Sequence, residues 1–296
     1  MSSTVTKAVI PVAGLGTRVL PASKAIPKEM MPVVDKPVIQ YVVEEAISAG
    51  ITEIILVTRA GKAAIEDHFD THFELEAELE RKNKLDILTS IQYILPAEVT
   101  VTTVRQHRAL GLGHAVLCAA TAVGCSDFAV LLPDMLINNY KQPETDLQGM
   151  AKAYQHSGYG QVMVEPVPME EVHRYGVVNC GGVNLQPGQA ANISGMVEKP
   201  PAELAPSNLT INGRYILPAR IMELLRDTPP GAGGEIQLTD ALQAYLAEGK
   251  LQAFHMLGKT FDCGNKAGYV QANLIYGLQH PETRDSLKDC IKNLAR

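Results

Sequence analysis

The chain has 296 residues, of which 46% are hydrophobic, and this is enough to bury a substantial core in one large α/β domain. The net charge of −6, with both signs interspersed, argues against nucleic acid or an anionic membrane as the main partner. No apolar run approaches the roughly 20 residues that cross a bilayer, no secretory leader is recognisable, and the five scattered cysteines suggest neither disulfides nor zinc, so we expect a cytoplasmic location.

The first predicted strand, residues 8–12, ends at a glycine-containing loop. Gly14 and Gly16 lack a Cβ, so successive backbone N–H groups in this loop can point at one anion. Arg18 and Lys28 add fixed positive charge, the first as a fork and the second as a compact point charge. The segment is therefore predicted to bind a polyphosphate.

Two known glycine loops do not match this segment. A dinucleotide fingerprint needs a third glycine where Val19 stands, and a P-loop needs Gly-Lys-Ser/Thr at its end. An ordinary strand-to-loop turn remains the simplest alternative. The downstream Arg18 and Lys28, with prolines that stiffen the segment, favour the phosphate-binding interpretation.

The first half of the chain alternates short β-branched runs with amphipathic stretches, which predicts a parallel sheet with crossover helices. Strands are predicted at 8–12, 53–58, 100–105 and 128–132, and helices at 38–49, 61–67 and 114–123. Ligands of such folds collect at the carboxyl ends of the strands. The Gly14 loop, Gln106 and Asp134 each follow a strand and should meet at one edge of the sheet.

The remaining segments are expected to be less regular. Residues 74–82 predict a charged, solvated helix. Short strands at 161–166, 175–179, 193–198 and 209–217 predict a more antiparallel region that could line a sugar-sized pocket. Helices are expected to dominate residues 219–278, one of them starting near Glu235, and a terminal helix should follow Pro281.

Asp134 and Asp262 form the candidate metal site. Each follows a short apolar run, and two carboxylates at strand ends can share one hard cation. Mg²⁺ prefers oxygen ligands and is usually held by one or two carboxylates together with substrate phosphates. For either residue alone, capping of the following turn or helix is an equally good explanation.

Two further groups could contact a ligand. Glu198 and Lys199 close a strand before Pro200, where they could bind sugar hydroxyls and a phosphate or form only a solvated ion pair. Gln106 and the glycines at Gly111 and Gly113 could match a base edge, or mark a plain helix entry.

Together these motifs resemble the bacterial UTP–glucose-1-phosphate uridylyltransferases, a branch of the sugar nucleotidyltransferase family. The similarity spans nearly the whole chain. It is carried by residues 14–18, 27–30, 105–106, 111–114, 133–134, 175–178, 197–200, 235–240 and 262–266.

The resemblance implies a Rossmann-like nucleotidyltransferase fold. A mixed, mostly parallel central sheet would be flanked by helices, with a smaller antiparallel sugar-binding region. A single domain, residues 1–296, would contain a nucleotide-binding half at about 1–135, a sugar-binding half at about 136–280 and a C-terminal helix at 281–296. The family also implies a homodimer or homotetramer.

The resemblance further implies transfer of uridylyl from UTP to glucose 1-phosphate with Mg²⁺, giving UDP-glucose and pyrophosphate. The catalytic cations would be Arg18, Lys28 and Lys199. Nucleotide contacts would come from Ala13, Gly14, Gly16, Gln106, Gly111 and Asp134. Hexose contacts would come from Gly176, Glu198, Lys199 and Gly213, and the metal would be held by Asp134 and Asp262.

Three alternatives remain at this point. The same fold could use dTTP or GTP with another sugar phosphate, and contacts of Gln106 and Glu198 would decide which nucleotide and sugar are bound. The chain could instead be a catalytically silent regulatory paralogue, but Gly16, Thr17 and Arg18 are present and favour activity. An α/β phosphate binder unrelated to sugars is the third. The chain departs from the family pattern at Met135 and at Gly233-Gly234, where no chemistry is assigned.

Overall fold

A computed structural model describes residues 4–294 of the chain. The strands are β1 Lys7–Pro11, β2 Pro32–Val33, β3 Lys36–Pro37, β4 Glu53–Thr58, β5 Thr100–Arg105, β6 Phe128–Leu131, β7 Met135–Asn138, β8 Gly160–Pro166, β9 Gly176–Asn179, β10 Ala190–Asn192, β11 Gly195–Glu198, β12 Leu209–Leu217, β13 Leu251–His255 and β14 Lys259–Asp262. The helices are α1 Val38–Ser48, α2 Ala63–Phe69, α3 Phe73–Arg81, α4 Leu85–Gln92, α5 Leu112–Cys118, α6 Ala120–Val123, α7 Asp146–Ser157, α8 Arg220–Asp227, α9 Leu238–Leu246, α10 Lys266–Gln279 and α11 Arg284–Leu294.

The central sheet has the strand order β10-β13-β8-β12-β6-β1-β4-β5, and β9 and β11 extend it beside β12. Strand β1 pairs in parallel with β4 and with β6, and β4 pairs in parallel with β5. The carboxyl ends of β1, β4, β5 and β6 therefore lie at one edge. This confirms the predicted fold class and the predicted parallel first half.

The parallel strands β1, β4 and β6 are apolar on both faces, because helices cover each side of the sheet, whereas the edge strand β5 is largely exposed. Along β1, Ala8 and Ile10 pack into one core cluster, whereas Val9 packs into the other, as strand alternation requires. The first cluster includes residues from α1, α7 and α10, and the second includes residues from α5, α8 and α9. The result is a helix–sheet–helix sandwich of three layers.

The second half is more antiparallel, as predicted. Strand β12 pairs antiparallel with β6, β8 and β9, and β9 pairs antiparallel with β11. Strands β7 and β14 form a separate two-stranded antiparallel ribbon. Among the described residues, no helix is long and apolar enough to cross a membrane.

Helices α8, α9 and α10 form most of the regular structure in residues 219–278, as predicted, but strands β13 and β14, which were not predicted, also lie within that range. Strand β13 adds in parallel to β8 and buries Leu251, Ala253 and Phe254, while β14 pairs with β7. The nearby predicted helix begins at Leu238 rather than near Glu235, since Gln237 is still extended. The charged segment forms two helices, α3 and α4, with Asn83 at positive φ in the connection between them.

Helix α7 and strands β7 and β10 were not predicted. The sequence nevertheless contains a start signal for α7, because Thr145 and Gln148 form a capping box in which each side chain accepts a hydrogen bond from the other residue's backbone N–H. Strands β7 and β10 have only four and three residues, too few for a periodic pattern.

Candidate active site

A cleft of about 280 Å³ opens at the carboxyl edge of the parallel strands. Gly14 from the loop after β1, Gln106 after β5 and Asp134 after β6 all line it, together with Lys28 and Gly111. The predicted convergence of these segments is confirmed. Because each segment leaves a parallel strand at the same end, the register of the sheet brings them together.

The glycine loop turns sharply at Gly16, next to Lys28. Gly16 has a φ of 69° and precedes a short 3₁₀ turn that contains Arg18. The Ser23 hydroxyl donates a hydrogen bond to the Gly16 carbonyl at 2.7 Å, which holds the returning chain against the loop. A Cβ on Gly16 would lie 3.3 Å from Lys28 Cβ and 3.2 Å from Ser23 Cβ, so the absence of a side chain lets the loop pack closely against Lys28.

Four charged side chains meet at one end of the cleft. Lys28 Nζ lies 2.5 Å from Asp134 Oδ2, and Arg18 contacts Asp134 Oδ2 at 3.6 Å and Asp262 Oδ2 at 3.2 Å. The two aspartates are therefore bridged by Arg18. The lysine and both carboxylates are largely buried, with side-chain exposures of 14%, 13% and 19%, so these charges are only weakly screened by solvent.

The ribbon of β7 and β14 explains why two aspartates so far apart in the chain converge. Asp262 pairs opposite Met135, and the Cys263 N–H donates to the Asp134 carbonyl at 2.8 Å. The Gly264 N–H donates to Asp262 Oδ1 at 2.8 Å. Burial raises the pKa of the Cys263 thiol to about 12, and the negative charges of Asp134 and Asp262 add to the shift.

The donor set suits a hard divalent cation. Asp134 and Asp262 offer carboxylate oxygens at one end of an open cleft, and among the described residues no larger cluster of His, Cys, Asp or Glu competes with them as a metal site. Two carboxylates with room for substrate oxygens is the arrangement that Mg²⁺ commonly uses.

The opposite end of the cleft is built from backbone and amide groups. The Gln106 side-chain amide donates to the Gly111 carbonyl at 3.2 Å and lies 3.0 Å from His114 Nδ1. Ala13, which is almost fully buried, also lines this end. Such groups offer fixed hydrogen-bond donors and acceptors to a planar ligand.

Residues 235–237 close this end by docking on the glycines that precede and begin α5. The Ile236 N–H donates to the Leu110 carbonyl at 2.7 Å, and the Gly113 N–H donates to the Ile236 carbonyl at 2.8 Å. Gly111 has a φ of 96°, and a Cβ there would lie 2.7 Å from the Ile236 oxygen. A side chain at Gly111 would therefore suffer both backbone strain and a clash.

The predicted sugar residues form a second group on the paired strands β9 and β11. Gly176 lies opposite Glu198, and a Cβ on Gly176 would be 3.1 Å from Glu198 Oε2. Lys199 follows with a φ of 47°, and its ammonium lies 3.5 Å from Glu198 Oε1. The Lys199 N–H donates to the Tyr175 carbonyl at 2.9 Å.

Tyr175 directly precedes Gly176 at the start of β9. Burial raises the pKa of the Tyr175 hydroxyl; the positive charge of Arg174 opposes this shift, and the negative charge of Asp262 adds to it.

Gly213 lies at a bulge in β12, next to the loop that carries Asp134. Its φ is 72°, and the register with β8 shifts between Ile211 and Tyr215. The Gly213 carbonyl accepts a hydrogen bond from the Leu132 N–H at 2.9 Å, and a Cβ would lie 3.2 Å from the side chains of Leu132 and Met135. The bulge thus brings the β12 backbone against the Asp134 loop.

Three residues near these groups were not assigned from the sequence. Glu29, next to Lys28, is fully buried and lies 2.7 Å from Lys62 Nζ, and burial raises the pKa of its carboxyl while Lys62 opposes the shift. The Thr239 hydroxyl donates to Glu198 Oε2 at 2.9 Å. Glu29 and Thr239 lie inside motifs noticed in the sequence. Their pairing with Lys62 and Glu198 could not be predicted, because the partners lie 33 and 41 positions away in the chain.

Comparisons with known proteins agree with this geometry. The family model described as nucleotidyl transferase matches residues 7–277. A UTP–glucose-1-phosphate uridylyltransferase of Haemophilus influenzae is 53% identical over 292 residues, covering 98% of this chain and 99% of the relative.

Solved structures are also similar to this chain. The UTP-bound UGPase of Acinetobacter baumannii has a TM-score of 0.93 and 52% identity, covering 98% of this chain and 99% of its own. A UDP-glucose pyrophosphorylase complexed with UDP-glucose has a TM-score of 0.83 and 41% identity, covering 93% of this chain and 100% of its own. The resemblance inferred from the motifs is confirmed.

Substitution Gly111→Ala tests how residues 235–237 close the cleft. We expect it to lower the free energy of unfolding by more than the roughly 1–3 kcal/mol that a glycine-only backbone conformation costs a side chain, because Gly111 has φ 96° and ψ 177° and the Cβ also meets the Ile236 carbonyl. Gly50→Ala is the matched control, since Gly50 has a φ of 87° but its Cβ would meet no neighbouring atom within 4 Å. Chemical denaturation of both variants measures the difference; equal losses would contradict the docking.

Proposed function

The chain belongs to the nucleotidyl transferase family, and we propose that it transfers uridylyl from UTP to glucose 1-phosphate, giving UDP-glucose and pyrophosphate. The observation that carries this proposal is the meeting of Arg18, Lys28, Asp134 and Asp262 in one cleft beside a glycine loop. Relatives named for this reaction are more than half identical to the chain over nearly its full length.

The reaction needs no enzyme nucleophile. A phosphate oxygen of glucose 1-phosphate attacks the α-phosphorus of UTP in line, a new P–O bond forms, and the bond to the β-phosphate oxygen breaks to release pyrophosphate. The attacking phosphate is already ionised at neutral pH. Catalysis therefore depends on alignment and on neutralising the negative charge that gathers at the site.

The cations of the cleft are suited to this electrostatic task. Arg18 and Lys28 contact carboxylates at 2.5–3.6 Å, and these cations could exchange those partners for the β- and γ-phosphate oxygens. Lys199, whose side chain is 60% exposed, is free to bind the phosphate of the sugar.

We assign the metal to Asp134 and Asp262 and take it to be Mg²⁺. When bound, Mg²⁺ would neutralise phosphate charge at the reacting centre. The family in general uses a divalent metal, and the oxygen-only donor set favours Mg²⁺ over softer ions. Once phosphate oxygens bind Arg18 and Lys28, these side chains would no longer pair with Asp134 and Asp262. Both carboxylates would then be available to hold Mg²⁺.

The nucleoside is assigned to the amide-lined end of the cleft. Ala13, Gly14 and Gly111 would present backbone groups to uracil, and Gln106 would supply its side-chain amide. Gly16 keeps the loop turned towards the phosphates. Gln106 is held by Gly111 and by a histidine ring, so its amide is oriented before a ligand arrives.

The hexose is assigned to the second group. Glu198 would accept hydrogen bonds from sugar hydroxyls, and its carboxylate is oriented by Thr239. Gly176 and Gly213 would let the backbone approach the hexose ring, since neither residue carries a side chain. A homodimer or homotetramer and a cytoplasmic location remain expectations from the family and the composition.

A substrate panel tests the assignment directly. The purified protein is incubated with Mg²⁺, with each of UTP, dTTP, GTP, ATP and CTP, and with glucose, galactose or mannose 1-phosphate, and pyrophosphate release is followed. We expect UTP with glucose 1-phosphate to be the fastest pair. Faster turnover with dTTP or GTP would overturn the uridylyl assignment, and tight UDP-glucose binding without turnover would indicate a silent paralogue.

Substitution Asp134→Asn removes one charge from the metal site while keeping the side-chain shape. We expect kcat to fall by about 100- to 1000-fold, the usual loss for one electrostatic contact at a reacting centre, with little change in melting temperature. Asp285→Asn is the control, because Asp285 is exposed on α11. Near-native turnover of Asp134→Asn would remove this residue from the site.

Substitution Lys199→Met removes the ammonium and keeps most of the apolar stem. We expect a similar loss of about 100-fold or more in kcat and a higher KM for glucose 1-phosphate, with the KM for UTP little changed. Lys250→Met, at an exposed position before β13, is the matched control. A rise confined to the KM for UTP would assign Lys199 to the nucleotide instead.

A further inference from the structure

Beneath the Asp134 loop lies an ion pair between Arg214 of β12 and Glu45 of α1, and we infer that it positions Asp134 for metal binding. This inference rests on the proposed function, in which Asp134 holds the cation. Arg214 is a positioning residue here, because it contacts the backbone of the loop and not the Asp134 carboxylate.

The pair is buried and bidentate. Arg214 Nη2 lies 2.7 Å from Glu45 Oε2, and Arg214 Nε lies 3.0 Å from Glu45 Oε1. The arginine side chain has no solvent exposure, and that of Glu45 is 9% exposed. Two parallel hydrogen bonds fix the plane of the guanidinium group, which leaves its other donors with a defined direction.

Those remaining donors hold the loop on both sides of Asp134. Arg214 Nη1 donates to the Leu132 carbonyl at 3.1 Å, and Nη2 donates to the Met135 carbonyl at 2.8 Å. The Gly213 carbonyl, next to Arg214 in the chain, accepts the Leu132 N–H at 2.9 Å. Residues 132–135 are therefore fixed by β12 at both ends.

The loop has little else to fix its backbone. Pro133 has no N–H to donate, and within residues 132–135 of the described structure the only internal backbone hydrogen bond is a long one, 3.4 Å from the Met135 N–H to the Leu132 carbonyl. The neighbouring Cys263 N–H holds the Asp134 carbonyl, but β14, which precedes Cys263, belongs to a ribbon of only two strands.

The reaction makes this backbone support important. Lys28 and Arg18 also hold the Asp134 side chain. In the proposed function these cations transfer to the triphosphate, so the carboxylate loses its side-chain partners when it must hold the metal. Arg214 contacts Glu45 and the Leu132 and Met135 carbonyls, none of which is assigned to a ligand, so these contacts do not depend on that exchange.

A purely stabilising role is the competing explanation, and energetics distinguish the two. A buried ion pair is often replaceable by apolar side chains of similar size with no loss of stability, because desolvation offsets its attraction. Removing Arg214 alone would leave Glu45 charged and buried and could unfold the protein. The informative variant is therefore the double substitution Glu45→Met/Arg214→Met, which removes both charges.

The test compares three proteins: the native chain, the double variant and Leu147→Ala. Leu147 is fully buried on α7 in the same core cluster as parts of α1, so Leu147→Ala lowers stability without changing the loop contacts. Mn²⁺ binding in the presence of UDP-glucose is measured by electron paramagnetic resonance of the free ion. Steady-state kinetics and hydrogen exchange of the Leu132 amide are measured on the same samples.

We expect the double variant to stay folded, to bind Mn²⁺ about 10- to 100-fold more weakly and to lose kcat by a similar factor, as variants lacking the support of a metal ligand typically do. The KM for glucose 1-phosphate should change by less than about threefold, and the Leu132 amide should exchange faster. Leu147→Ala should retain native Mn²⁺ affinity whatever its stability.

Native Mn²⁺ affinity and native amide exchange in the double variant would overturn the inference, as would an equal loss of affinity in Leu147→Ala. The two proposals fail separately. If the native chain makes no UDP-glucose, the proposed function is wrong, while the exchange of the Leu132 amide still shows whether the ion pair holds the loop.

Discussion

Charge compensation at one edge of a parallel sheet underlies the whole site. Asp134 and Asp262 lie close enough to share Arg18, and Lys28 lies against Asp134 in a cleft where solvent screening is weak. Two such carboxylates need cations nearby, and the segment that follows β1 supplies them. A triphosphate and a divalent ion would satisfy all four groups by exchange of partners.

The antiparallel second half provides the geometry that a parallel sheet alone lacks. The ribbon of β7 and β14 brings Asp262 beside the Asp134 loop, and the bulge at Gly213 presses β12 against the same loop. Arg214 then joins β12 to α1 through Glu45. The backbone that carries Asp134 is thus held by Arg214, whose guanidinium is assigned to no ligand, whereas the basic side chains of the first loop could exchange their carboxylate partners for phosphate. In the proposed function, this division would keep Asp134 in place while substrate binds.

Local patterns were sufficient to predict the parallel half of the fold and the residues that meet there. Strands β4 and β5 have the bounds expected from sequence, because short β-branched runs bounded by turns encode such strands directly. Strands β13 and β14 were missed because β13, with the sequence LQAFH, contains no β-branched residue and because both strands pair with segments distant in the chain. The ion pairs of Glu29 with Lys62 and of Glu45 with Arg214 were missed for a related reason: the second pair is separated by 169 positions, and burial of a charge cannot be inferred from its neighbours in the chain.

A crystal structure of the protein with UDP-glucose and Mn²⁺, in which anomalous scattering locates the ion, would decide whether the two aspartates form the metal site. We predict one strong anomalous peak bonded to carboxylate oxygens of both Asp134 and Asp262, with Lys28 moved away from Asp134. An ion bound by neither aspartate, or by phosphates alone while Lys28 and Arg18 keep their carboxylate partners, would contradict this mechanism.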